Sequence, residues 1–177
     1  SLTNLPCSGG SIEWAVPKGR WLLTTYKRVP AVGAQNTRLD LMNPAATKAF
    51  LDMVYEEYAR RFPQHLGSTL KLIVADHEGS YGVAIAWTPR LWQEFQQRKN
   101  YDLRPFLPLL TRQAAGTNFD RRVRQDYFEV ISAIYAESFV QQVTDWCSRR
   151  GLQHAVSNFE EQFYYQVVCG GDMFQNW

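Results

Sequence analysis

"KLIVADHEGSYG", residues 71–82, is the stretch whose reading decides the fold. Its first half is a continuous apolar run, the character of a strand covered on both faces, which is typical of a parallel sheet with helices outside. Its second half delivers Asp76, His77 and Glu78 one after another into a loop bounded by glycines. A chain that needed only a turn there could use Asn-Gly. Two carboxylates and an imidazole at the end of a strand therefore ask for a chemical reason.

Downstream of this strand, Thr88 and Pro89 restart a helix in "PRLWQEFQQRKN" (89–100) by N-cap chemistry. "YDLRPFLPLL" (101–110) contains two prolines and predicts a short irregular or broken helical connection. From Asn118 a long helix runs to residue 150, with Val123, Tyr127, Ile131, Ile134, Ser138 and Phe139 on its buried side. Gly151 is placed to end it as a left-handed C-cap. "LQHAVSN" (152–158) is another short strand, and "FEEQFYYQVVCGGD" (159–172) reads as the next loop and helix.

Upstream, "NPAATKAFLDMVYEEYARRF" (43–62) opens with Asn43 as N-cap and Pro44 at the first helical position. Phe50, Met53, Val54 and Tyr58 share one face at helical spacing, predicting a buried stripe. "SIEWAV", "PKG" and "RWLLTTYKRV" (11–29) read as two strands joined by a turn, a hairpin. Strand and helix in alternation predict a parallel α/β architecture.

Composition narrows the function classes. A chain of 177 residues, 45% hydrophobic and 14% aromatic, fits one globular domain with a packed core. Lysine and arginine exceed aspartate and glutamate only by 19 to 17, so no strong field attracts nucleic acid or anionic lipid. "RRVR" (121–124) reads as the solvated first turns of a helix. No stretch approaches the roughly 20 apolar residues that span a bilayer. Ser1 is not an initiator methionine, so the chain is expected to be processed or cut from something longer. Cys7, Cys147 and Cys169 lie at wide spacings, against both a zinc ribbon and a disulfide scaffold, and Cys147 reads as core packing. His65, His77 and His154 form no ligand motif for a transition metal.

In parallel α/β folds the chemistry gathers at the carboxyl ends of the strands. Asp76, His77 and Glu78 occupy that place on one strand, and Asn158, Glu160 and Glu161 on another. Two carboxylates converging from separate strand ends are what a glycosidase needs: one held protonated to donate to the leaving oxygen, the other ionised as base or nucleophile. Tyr81, Trp87 and Trp92 surround the acidic loop and could stack on a sugar, with core packing the alternative. Tyr81, flanked by Gly79 and Gly82, is the better stacking candidate. His77 either contacts a sugar hydroxyl or occupies the outward position between two inward acids. His154 reads as a hydrogen-bonded core residue, and Asp172 as a turn residue.

The order of "IEWAVPKGRWLLTTYKR", "NPAATKAFLDMVYEEY", "LIVADHE", "WTPRLWQEFQQRKNYDLRPFLPLL" and "RVRQDYFEVISAIYAESFVQQVTDWCSRRGL" resembles the catalytic region of family 106 glycoside hydrolases, the α-L-rhamnosidases. The resemblance covers most of the chain. It implies a (β/α)8 TIM barrel, hydrolysis of an α-L-rhamnosyl bond with inversion, and a calcium ion near the sugar. Carried over by position, Glu78 is the general acid and Glu160 the general base, with Glu161 its rival. Asp76 is a ligand of substrate hydroxyls or of calcium, whose preference is for hard oxygens. Inversion calls for carboxyl groups roughly 6.5 to 9.5 Å apart, whereas a retaining enzyme holds them at about 5 to 5.5 Å.

A complete barrel takes about 250 residues. The resemblance therefore implies a partial barrel, its N-terminal part in 31–177, with 1–30 as a hairpin ending a preceding β-rich region. Such a piece is expected to act on an oligo- or polysaccharide, outside the cell or in a periplasm, completed by the remainder of a larger chain or by a second copy. A competing reading is a non-catalytic carbohydrate-binding or structural portion, in which Asp76 and Glu78 bind calcium or cap a helix.

Overall fold

The structure, a computed structural model, describes residues 5, 7–28, 39–77, 85–111 and 117–158. Helix α1 (Pro44–Phe50) starts as expected, with Asn43 Oδ1 accepting from the Ala45 N–H at 3.1 Å and Pro44 in the first turn. A π-helical turn (Leu51–Tyr55) joins it to α2 (Glu56–Arg61). The expected stripe of Phe50, Met53, Val54 and Tyr58 is not the buried one: Met53 is 77% and Tyr58 58% exposed. Thr47 and Leu51 are buried instead, and Tyr55 and Ala59 pack against the core below them. The π turn is the reason. Its wider bonding, Glu56 N–H to Leu51 O, keeps every fourth residue in line and rotates the inward face away from the 3.6-residue pattern.

After a 3-10 turn (Pro63–His65), Gly67 turns the chain at φ +72° into β1 (Leu72–His77). β1 pairs in parallel with β2 (Gln153–Asn158), from Leu72 beside Gln153 to His77 beside Asn158. Helix α3 (Leu91–Lys99) ends at Asn100, whose φ of 60° is left-handed. Thr88 does not supply the expected cap: the Leu91 N–H is taken by its backbone carbonyl, and its buried hydroxyl has no partner among the described residues. The two prolines do break the next segment, into a 3-10 turn (Arg104–Phe106) and the short α4 (Leu107–Thr111). Helix α5 (Asn118–Tyr135) is capped by Thr117 Oγ1, which accepts from the Asp120 N–H at 3.1 Å. A second π turn (Ala136–Val140) carries it into α6 (Gln141–Ser148).

The α5–α6 rod is the centre of the core. Val123, Tyr127, Ile131, Ile134, Ser138 and Phe139 are all buried, as their spacing predicts, together with Leu91, Phe95 and Leu103 from the α3 region. Burying a side chain of this size contributes about 1.5–3 kcal/mol. Two polar groups within this core are bonded: Ser138 Oγ donates to Met42 O at 3.2 Å and Tyr127 OH to Ala86 O at 2.7 Å. Cys147 is fully buried, and burial pushes its thiol up to about 11, so it packs as an apolar side chain.

Two expectations change. β1 is not covered on both faces: Ile73 and Ala75 pack on the core, while Leu72 and Val74 are 44% and 54% exposed, because the helices lie against one side of the strand pair. The hairpin forms no ladder over residues 12–28. Its arms meet through side chains, Trp21 Nε1 donating to Pro17 O at 2.8 Å and Trp14 standing edge-on to Trp21 at 5.7 Å. A lone two-stranded ribbon has too little to bury, and here Leu22 and Leu23 remain exposed.

The strands start side by side because two left-handed glycines lie against each other. Gly151 ends the rod at φ +69°, and a Cβ on Gly67 would stand 3.1 Å from Arg150 O and 3.3 Å from Gly151 O. We expect Gly151→Ala to cost about 1–2 kcal/mol, from the left-handed backbone alone, and Gly67→Ala more, because it adds contact with a backbone carbonyl. Equal costs in urea unfolding would sink this account. A second prediction concerns His154, whose Nδ1 pairs with Thr144 Oγ1 at 2.9 Å while its Nε2 is buried without a partner among the described residues. Burial lowers its pKa below the ordinary 6.5, so the unfolded chain binds the proton more tightly. The stability gained from a neutral His154 is complete above pH 6.5 and is lost as pH falls below it. His154→Gln is expected to flatten the fall in unfolding free energy between pH 7.5 and pH 5; an unchanged slope counts against it.

Candidate active site at the carboxyl edge of the strand pair

Asp76 and His77 are the last two residues of β1, with backbones paired to Ser157 and Asn158 at the end of β2. The parallel register thus brings together the carboxyl ends of two strands that lie far apart in sequence. Glu78, Tyr81, Glu160 and Glu161, along with Trp87 the remaining candidates of the sequence, differ in what can be said. The four at 78, 81, 160 and 161 lie outside the described residues, as does Asp172; Trp87 is placed.

What lies beyond this edge follows from the α6–β2 turn. α6 reverses through Gly151 into β2 and packs antiparallel to it, with Thr144 level with His154. At about 1.5 Å per helical residue against about 3.3 Å per strand residue, the strand ends at Asn158 fall level with about Tyr135. α5, which ends at Tyr135, therefore extends past the strands' carboxyl edge. Against it sit α3 and the segment 85–88, held by the Tyr127 bond to Ala86 O and by Lys99, which is 3.2 Å from Asp126 and 2.7 Å from Glu129. Tyr101 OH donates to Asp126 Oδ2 at 3.0 Å, and burial followed by that bond raises the pKa of its phenol.

Trp87 stands next to the pinned carbonyl of Ala86. It is half-buried, with part of its ring packed on the core, and the Arg28 guanidinium lies over the ring at 4.7 Å. Trp92 is likewise packed on the core. Arg28 was not among the residues picked out by sequence; the only signal was a basic pair, Lys27 and Arg28, closing an apolar run. A second stacked pair occurs elsewhere. Arg150 lies over Trp146 at 4.1 Å, and there Glu56 accepts from Arg150 Nη2 at 2.7 and 2.9 Å and from Trp146 Nε1 at 2.8 Å.

A cleft of about 410 Å3 is lined by helix residues only, Lys48, Asp52 and Asp145 among them, and does not include the strand ends. Its carboxylates sit on exposed helix surface, so it carries no acid–base argument. Among the described residues no three His, Cys, Asp or Glu side chains cluster as metal ligands.

The family model described as alpha-L-rhamnosidase matches residues 1–170. The chain is thus a glycoside hydrolase sequence by class. It belongs to glycoside hydrolase family 106. A curated relative from Formosa agariphila, given a provisional beta-glucuronidase name, is 26% identical over 93% of this chain. The solved rhamnosidase from Novosphingobium sp. PP1Y is similar over 77% of this chain, with a TM-score of 0.56 and 22% identity, a likeness of fold. The chain spans 15% of the length of the first and 13% of the second.

Tyr127→Phe tests the wall beyond the strand edge. Removing the phenol leaves the buried Ala86 carbonyl without this donor, and a loss of about 1–3 kcal/mol in unfolding free energy is expected. A change below about 0.5 kcal/mol would mean that the bond does not hold the 85–88 segment.

Proposed function

We propose that this chain carries part of the active site of an inverting α-L-rhamnosidase, its strands belonging to a (β/α)8 barrel whose remaining strands lie outside the chain. The observation that carries the reading is the parallel, in-register pairing of β1 and β2. Glu78 follows His77 by one residue and Glu160 follows Asn158 by two, so both acids continue from backbone ends that are neighbours.

In this reading Glu78 holds a proton and gives it to the glycosidic oxygen as the bond to the sugar's anomeric carbon breaks. Glu160, or Glu161 in its place, is ionised and takes a proton from the water that attacks the opposite face, so the sugar leaves with inverted configuration. Asp76 and His77 hold sugar hydroxyls, and Tyr81 and Trp87 offer aromatic faces to its apolar side. Asp76 would give calcium one hard oxygen, with other ligands drawn from outside the described residues. No step depends on that ion. The substrate is an oligo- or polysaccharide met outside the cell or in a periplasm, and the partner is the rest of a longer polypeptide or a second copy.

Release of p-nitrophenol from its α-L-rhamnoside, with and without calcium, tests the roles in this chain and in a longer polypeptide containing it. Glu78→Gln and Glu160→Gln are each expected to lower kcat by about 10²–10⁴-fold. Activity that survives both substitutions would falsify the assignment; a longer polypeptide inactive before substitution would favour a non-catalytic, carbohydrate-binding portion.

A further inference from the structure

We infer that Arg28 and Trp87 form a subsite for an anionic group, a carboxylate or sulfate ester, on the saccharide that the strand-end site takes. The inference rests on the glycosidase reading above and adds a charge to the ligand. Three observations carry it.

The first is place. Trp87 follows the carbonyl held by Tyr127, and Tyr127 lies in α5, which extends past the carboxyl edge of the strands. The chain segment bearing Arg28 also reaches that region, with Tyr26 OH 3.4 Å from Thr111 Oγ1. The second is charge. Most arginines of the described helices face carboxylates, as Arg60, Arg90, Arg98 and Arg104 do. Arg28 is exposed and forms no ion pair among the described residues, and neither does its neighbour Lys27.

The third is an internal template. At Trp146 the same arrangement of guanidinium over indole is joined by a carboxylate, Glu56, which accepts from the guanidinium edge and from the indole N–H together. Stacking occupies the face of an arginine and leaves its N–H edge to bind an anion. At Arg28 and Trp87 the stacked pair is built from the chain's own residues, and no carboxylate of the described residues stands against it. A sugar acid or sulfate ester seated there would make the contacts that Glu56 makes at Trp146.

Titration calorimetry of this chain against free glucuronate and three disaccharides tests the inference: α-L-rhamnosyl-glucuronate, its neutral glucose counterpart, and a sulfate ester of that counterpart. At least one charged ligand is expected to bind about tenfold tighter than the neutral one, as charge-assisted bonding implies. In Arg28→Gln the ratio is expected to fall to near one; in Arg28→Lys, which keeps the charge and loses the fork, it falls partway for glucuronate and less for sulfate. The tighter of the two charged ligands identifies the anion. A ratio near one in the parent chain, a ratio unchanged in Arg28→Gln, or no binding of any of the three overturns the inference. Neutral binding without charge preference removes the anion subsite and leaves the rhamnosidase reading standing. Arg28-dependent binding of free glucuronate, with no gain from the rhamnosyl unit, keeps the subsite and removes that reading.

Discussion

The close approach of Gly67 and Gly151 is the constraint on which the rest of the structure depends. Two helices end in left-handed turns whose backbones touch, and the strands that follow start level: the Gln153 N–H donates to Lys71 O at 2.8 Å and each later residue falls into register. A parallel pair has no hairpin to set its register. Here the two turns do that work, and a side chain on Gly67 would press on the Arg150 and Gly151 carbonyls and push the strand starts apart. Because the starts are level, so are the ends, and the backbones of Asp76 and His77 lie beside those of Ser157 and Asn158.

The second organising element is the rod of α5 and α6. One half packs beside the sheet and the other projects past its edge, so one rod serves as scaffold for the strands and extends beyond their carboxyl ends. Its π turn lets Ser138 donate to Met42 O while Gln142 donates to Pro44 O, which docks the start of α1 on the middle of the rod. Arg90 reaches the same Ser138 at 3.3 Å from the start of α3. Ser138, small and buried, thus joins three segments.

Much of this was legible in sequence, for identifiable reasons. Asn43-Pro44, the buried spacing of the long helix, Gly151 and the two prolines of 105 and 108 act through local backbone preferences, which the chain carries wherever it folds. The misread features all depend on something non-local. The face of α1–α2 turned because a π turn changed its phase. Thr88 looked like a cap and became buried instead. The residues 11–29 have strand composition, yet strand formation needs a partner, and the exposed side of β1 has the same origin. Asp76 and His77 lie at the strand end that their apolar run implied, and the register sets the backbone of His77 beside that of Asn158. Arg28 was not legible, since stacking on Trp87 links residues that no short pattern connects.

The parallel pairing also sets the order in which the chain can fold. β1 leaves synthesis with Leu72, Ile73 and Val74 in sequence and cannot pair until β2 has followed, after α3, α4 and the whole rod. The loop that closes the pair is long and its contacts are non-local, so the sheet forms late and the helices must assemble first. Until then the strand's edges and apolar residues remain open to pairing with another chain. The level start given by two glycines is therefore a kinetic device as well: once the helices are packed, the two strand starts already lie in contact, and the last step is a short zip from Leu72 to His77.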